Sequence, residues 1–160
     1  MSLKTIALAR KYGALVTRYA KNRGQESGRE NKQVFDFLIV VDFESTCWNK
    51  DDADSSPPEI IEFPAILISS SPEFRVLSEF RQFVMPTERP RLSDFCKNLT
   101  GIKQSSVDDA APISTCLIMF EKWLDQIKME HKFVVNDVRD GWKTATFVTW
   151  YVNGKELYRY

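Results

Sequence analysis

The sequence predicts one mixed α/β domain whose sheet begins with an antiparallel three-strand meander, and three observations lead there. Three segments rich in β-branched and aromatic residues, Val34–Phe43, Glu59–Ser69 and Arg75–Met85, follow one another with short connections. Two segments of helical periodicity come next, Leu92–Leu99 and Pro112–Met129, and strand-like runs return after them. A length of 160 residues gives room for a single core of useful size and too little for two.

Ahead of that domain lies a basic arm. Residues 1–33 hold eight Lys or Arg against Glu26 and Glu30, although the whole chain balances 22 basic with 22 acidic side chains. Leu3, Ile6, Ala7, Leu15 and Tyr19 recur with roughly helical spacing, and residues 21–33 are polar and glycine-containing, hence a linker. Cations free of acids until Glu26 suit contact with phosphates. The same composition is that of a mitochondrial transit peptide, and a helix packed on the domain is the third reading. No secretory hydrophobic region is present in the arm. Cys47, Cys96 and Cys116 are odd in number and form no C-x-x-C pair, so they read as free thiols of an intracellular, reducing setting, cytoplasm or nucleus. A single histidine, His131, excludes a His-rich metal centre. No apolar run approaches the roughly 18 residues needed to cross a bilayer, so no membrane partner is expected.

Within the domain, Val34–Phe43 carries the apolar run Phe37–Val41 and reads as the central strand. Trp48–Pro58 is polar, acidic and Pro-ended, a loop. Pro64 interrupts Glu59–Ser69 and argues for a bulge or an edge-facing position there. Val76, Phe80 and Phe83 mark the third strand, antiparallel to the second. Leu92–Leu99 is a short helix started by Ser93 or Asp94 and stopped by Gly101. In the longer helix opened by Ala111–Pro112, the residues Leu117, Phe120, Trp123, Leu124 and Ile127 share one face. His131–Val135 is a short strand, and FVTWYV-NG-KELYRY reads as strand, Asn153-Gly154 turn, strand. This order of elements is the one in which an RNase H-like domain begins.

The central strand raises a chemical question, because its apolar run ends in Asp42 and Glu44 follows two residues later. Side chains two apart on a strand share a face, so both carboxylates project together from the strand's C-terminal end, where α/β sheets tend to place ligands. Two ionised carboxylates repel one another, and partial burial adds a desolvation cost. A divalent cation removes both problems: hard oxygen ligands suit Mg²⁺ or Mn²⁺, which also bind water and phosphate oxygens. The D-x-E pattern alone is short, and it is equally the pattern of a strand's solvated end.

Longer wording decides between these. DFESTCW (Asp42–Trp48), EIIEFPAILI (Glu59–Ile68) and LSDFCKNLTGIKQSSVD (Leu92–Asp108), in this order and spacing, resemble the Eri-type 3′→5′ exoribonucleases. These form part of the DEDDh group of the DnaQ-like, RNase H-fold superfamily, and the wording lies nearest the family's second vertebrate branch. The resemblance covers residues 34–128, with an echo at Phe147–Trp150. It implies an RNase H-like exonuclease domain over residues 34–150, acting on RNA or single-stranded nucleic acid 3′ ends with two Mg²⁺ (or Mn²⁺) ions per complete site. It implies that Asp42 and Glu44 are catalytic and are the first two metal ligands, and that Thr46 lies beside the terminal nucleotide. It further implies that the LTGI segment, through Leu99, Thr100 and Ile102, contacts the terminal base or sugar. Gly101 would let backbone approach closely, and Leu99 and Ile102 offer apolar faces to a base of any identity. The same four residues also read as a helix C-cap with its usual hydrophobic contact. Glu62 reads either as a partner of the site's acids or as a solvated carboxylate on a half-buried strand, and it is left out of the candidate set.

The family pattern continues with an aspartate soon after an FVTW-like strand and with H-x-x-x-x-D on a later helix, where the histidine is general base. Here FVTW is followed by Tyr151, Val152 and Asn153, and the sequence stops at Tyr160. The expectation is therefore a C-terminally truncated form: a domain incomplete at its C-terminus, a divergent hairpin tail over 151–160, and no third acid, fourth acid or base. The alternative expectation is a catalytically inactive isoform that acts as a nucleic-acid-binding or interaction module. His131 precedes FVTW and lies in the wrong segment to be the base. Asp51, Asp52, Asp54, Asp108, Asp109, Asp137 and Asp140 read mostly as solvated loop acids, and Cys47 has no acid or base at a spacing diagnostic of thiol catalysis.

Overall fold

The computed structural model describes residues 34–49, 57–70 and 73–149. The expected N-terminal helix and linker, the acidic centre of the loop after Trp48, and the C-terminal hairpin lie outside the described residues. The elements are β1 (Phe37–Val41), β2 (Glu44–Ser45), β3 (Ile60–Ser69), β4 (Val76–Phe83), α1 (Asp94–Thr100), α2 (Gln104–Asp108), α3 (Ile113–His131), β5 (Phe133–Val135) and β6 (Lys143–Thr149). Along the hydrogen bonds the strands run β2-β3-β1-β6-β5, with β4 on β3. β1 pairs with β3 antiparallel and with β6 parallel, and β5 pairs with β6 parallel, so the sheet is mixed as expected. The meander is present too. Ser69 N–H bonds Arg75 O and Val84 N–H bonds Ile61 O, so β3 and the β4 segment run in opposite senses.

Contacts divide the chain into two units. The first draws on residues 34–41, 65–79 and 125–149, with β1 at its centre. All five residues of β1 are buried, from Phe37 to Val41. A strand covered on both faces reads as an unbroken apolar run, which is why FLIVV shows no alternation. One face gathers Leu38, Val40, Ile66, Ile68 and Val148, with Phe35 packed against them. On Phe37, the ring of Phe133 lies at 5.3 Å and that of His131 at 5.8 Å between centroids. β6 begins at Lys143, earlier than the FVTW wording suggested, and its parallel ladder with β1 already starts at Ala145 opposite Phe37. The Asp36 carboxylate pins that start by accepting the Thr144 N–H at 2.9 Å and its hydroxyl at 3.2 Å.

The second unit draws on residues 42–64 and 80–124. Ile61, Leu92, Cys96, Ile102 and Val107 form one cluster, with Cys47 and Phe83 against it. A second, aromatic group joins Phe63, Phe80, Phe120 and Trp123, with Phe43 on Phe63 at 4.6 Å. α3 therefore turns Cys116, Phe120 and Trp123 inward. Cys116 is fully buried and Leu117 is 50% exposed, a correction of one helical position to the expected face. α1 carries the caps that the sequence indicated: Ser93 Oγ accepts the Cys96 N–H, and Gly101 closes the helix with φ of 75°. α2, a single short turn that buries Val107, carried too little periodicity to be expected. All three cysteines are free, and no helix among the described residues is long and apolar enough to cross a membrane.

Candidate active site

Every site residue expected from the sequence falls in the second unit. Asp42 is the first residue past β1 and Glu44 opens β2, so Asp42 and Phe43 interrupt the strand that the sequence suggested was continuous. The register also shifts between Glu44, opposite Glu62, and Ser45, opposite Ile60. Irregularities of this kind bend a strand and re-aim its side chains, and they recur beside active sites.

Asp42 and Glu44 are both half-buried. Glu44 stands directly across the ladder from Glu62, and opposed residues of an antiparallel pair share a face. Glu62 is 8% exposed, and its carboxylate accepts Arg81 Nε in an ion pair. The Asp42 carboxyl is pushed above the ordinary aspartate range, first by burial and then by the charge of Glu62. Glu62 thus acts on Asp42 and stands opposite Glu44, and Arg81 pairs with Glu62. Glu62 is the residue that sequence reasoning left without a role. Its signal was its setting: a carboxylate between Ile61 and Phe63 is costly to bury unless something pairs with it.

The donor chemistry fits a hard cation. Mg²⁺ commonly takes one or two carboxylates and completes its shell with water and phosphate oxygens. Asp42 and Glu44 fit that two-carboxylate share, with Glu62 committed to Arg81. Among the described residues no group of three or more His, Cys, Asp or Glu is arranged to hold a metal.

The expected substrate-contacting residues divide by exposure. Thr46 is 2% exposed; its N–H donates to Glu59 O at 2.8 Å and its Oγ1 accepts the Glu59 N–H at 2.9 Å. The Glu59 carboxylate in turn accepts the N–H groups of Thr87, Glu88 and Arg89 at 2.7, 3.1 and 2.9 Å. Burial alone would raise the Glu59 pKa, but these backbone donors outweigh it and hold the carboxyl below its usual range. In the LTGI segment, Thr100 Oγ1 donates to Cys96 O at 2.8 Å and accepts the Ile102 N–H at 3.1 Å. Ile102 is a core residue at 5% exposure, whereas Leu99 is 60% exposed. Leu99 is therefore the member of the set that offers an open apolar face, while Thr46 and Ile102 are buried.

The remaining candidates do other things. The Cys47 thiol is pushed up to about 12, by burial first, then by Cys96 and by Glu44, which keeps it protonated. Its carbonyl accepts Ser93 Oγ at 2.6 Å, strapping the DFESTCW segment to the start of α1. His131 is half-buried in the first unit, where it packs on Phe37. Asp108 accepts Gln104 Nε2, and Asp137 accepts the Val138 N–H.

A family model described as an exonuclease (RNase T) matches residues 39–147. The chain is 41% identical over 154 residues to ERI1 exoribonuclease 2 of Homo sapiens, an alignment covering 92% of this chain and 22% of that relative's length. Among solved structures it is similar to the nuclease domain of 3′hExo, a DEDDh family member, bound to rAMP. That match has a TM-score of 0.57 and 30% identity, and covers 74% of this chain and 53% of the other. A structure of 3′-end specific recognition of histone mRNA stem-loop by 3′-exonuclease matches with a TM-score of 0.55 and 30% identity, over 74% of this chain and 47% of that one.

Proposed function

Because this chain belongs to the RNase T-type exonuclease family, which includes DEDDh nucleases, we propose that it is a metal-dependent 3′→5′ exoribonuclease domain acting on RNA or single-stranded nucleic acid 3′ ends. The observation that carries this reading is the carboxylate corner, with Asp42 beyond β1 under the field of Glu62 and Glu44 in register with Glu62.

Asp42 and Glu44 would hold the divalent cations, Mg²⁺ or Mn²⁺, which when bound supply charge neutralisation at the phosphate and a more acidic water. The protein's own residues do the rest. The Glu62–Arg81 pair commits the carboxylate that acts on Asp42 and stands opposite Glu44. Leu99 gives the terminal base an apolar face without reading its identity. Thr46 and Glu59 hold the segment that follows Glu44 in place.

The test is incubation of the full chain with end-labelled single-stranded RNA and Mg²⁺ or Mn²⁺. Shortening from the 3′ end that disappears in Asp42→Ala is expected; equal traces for the two proteins contradict the reading. A second reading, nucleic-acid binding without cleavage, is favoured by one observation: Tyr151, Val152 and Asn153 follow FVTW where the family pattern has an aspartate. RNA that is retained by the chain but never shortened is its signature.

A further inference from the structure

Glu62 meets two different neighbours from one position in β3. Across the ladder to β2 it stands opposite Glu44, and directly opposed residues of an antiparallel pair bring their Cβ atoms to roughly 5 Å. Toward β4, its Oε1 accepts Arg81 Nε. The Glu62 side chain is 11% exposed and that of Arg81 is 53% exposed, so the anion lies inside and the cation reaches it from the surface. Arg81 has a second support. Its guanidinium carbon lies 5.2 Å from the centroid of the Phe83 ring, within the range of a cation–π contact, and Phe83 packs against the cluster of Ile61 and Leu92. Arg81 and Phe83 are two apart on β4 and share a face, so the guanidinium is held by a ring as well as by a carboxylate. Asp42 feels the same anion: after burial, the charge of Glu62 is what pushes its carboxyl up.

Charges at this spacing act on a bound cation as they act on one another. Near a protein surface, a full charge several ångströms from a divalent ion changes its affinity by roughly threefold to tenfold. Glu62 alone would strengthen the hold on a cation, and Arg81 opposes that addition. Less negative charge on the protein leaves more of the cation's charge to be met by phosphate oxygens of the substrate. We propose that Glu62 and Arg81 are positioning residues of the cation site: Glu62 adds negative charge beside Glu44, Arg81 cancels it, and the pair sets how tightly the cation is held before RNA arrives. This inference rests on the exonuclease reading and deepens it from the residues that hold the cation to those that tune the hold.

The test is Mn²⁺ affinity of the full chain without nucleotide, read at one fixed pH from the paramagnetic resonance signal of free Mn²⁺, with Asp42→Asn as the reference for site-specific binding. Arg81→Ala leaves Glu62 uncompensated and should bind Mn²⁺ roughly threefold to tenfold more tightly. Glu62→Gln leaves Arg81 uncompensated and should bind it more weakly by roughly the same factor. In the double variant Arg81→Ala/Glu62→Gln both charges are gone, and the affinity should return to within about twofold of the wild type. Arg91→Ala, at an exposed arginine, should stay within about twofold as well. A merely structural pair would weaken binding in every variant, whereas the charge role moves the two single variants in opposite directions. Single variants that shift the same way, or that match the wild type, overturn the proposal. If Arg81→Ala does not fold, Glu62→Gln decides alone: weaker binding supports the proposal, and equal or tighter binding overturns it. RNA shortening by a wild type whose variants match it in affinity rejects the role of the pair and spares the exonuclease reading. Opposite shifts with no RNA shortening reject the exonuclease reading alone, and no Asp42-dependent Mn²⁺ binding by the wild type rejects both.

Discussion

β1 and the seven residues that follow it are neighbours in sequence and opposites in what holds them. Phe37–Val41 is fixed by backbone ladders on both edges and by burial of every side chain. Asp42–Trp48 has only the two-residue β2 as ladder, and is otherwise tied by side chains and loop carbonyls: Thr46 to Glu59, Cys47 O to Ser93, Ser45 O to Cys96 Sγ. Burial of apolar area is non-directional and tolerant of detail, whereas the second kind of support depends on a few donors and acceptors with fixed geometry. The difference predicts that substitutions in the strand mostly cost stability, and that polar substitutions around the following segment mostly cost placement.

Three substitutions would break or sharpen this comparison. Leu38 has no exposure and sits in the face shared with Val40, Ile66, Ile68 and Val148. Leu38→Ala should destabilise by about 3 kcal/mol in urea unfolding, the ordinary cost of a core truncation with its cavity. A loss below about 1 kcal/mol would mean that this face is not packed.

Glu59→Ala should cost less, about 1–2 kcal/mol, since three backbone donors lose a charged acceptor that is itself partly exposed. The effect should also depend on pH. The folded carboxyl lies below its ordinary value of 4.5, so its contribution is fully present above that pH and disappears as pH falls through the folded pKa. Wild type and Glu59→Gln should therefore converge in stability on acidification below 4.5. A gap between them that widens on acidification would contradict the assigned role of the backbone donors.

Gly101→Ala should have the smallest effect, about 1 kcal/mol by thermal unfolding. A Cβ there meets nothing within 4 Å, so the cost is confined to the φ of 75°. Gly101→Asn should cost less, because asparagine tolerates the left-handed region better than alanine.

How much of this was legible in the chain follows the same division. β1, β3, β4 and the two caps of α1 could be read because local signals specify them: apolar runs, a serine at the start of a helix, a glycine at its end. The LTGI wording was legible as a helix cap, which Gly101 closes with Ile102 buried after it, while Leu99 stands exposed. The strand break at Asp42–Phe43 was not legible, since nothing in DFES says that Ser45 will pair with Ile60 one step out of register. Glu62 was missed because its partner, Arg81, arrives from another strand. The α3 face was misread by one residue because Cys116 is small and apolar enough to take the inward position that Leu117 seemed to claim. Long-range register and pairing decide such points, and local patterning does not contain them.

The claim on which the functional reading turns is that Asp42 and Glu44 together hold a divalent cation against a phosphate. Calorimetric titration of Mn²⁺ into the full chain with adenosine monophosphate present, beside the Asp42→Asn/Glu44→Gln variant, measures it directly. A saturable heat in the wild type that vanishes in the variant is the predicted result; matching isotherms for the two proteins, or no saturable heat in either, would contradict it.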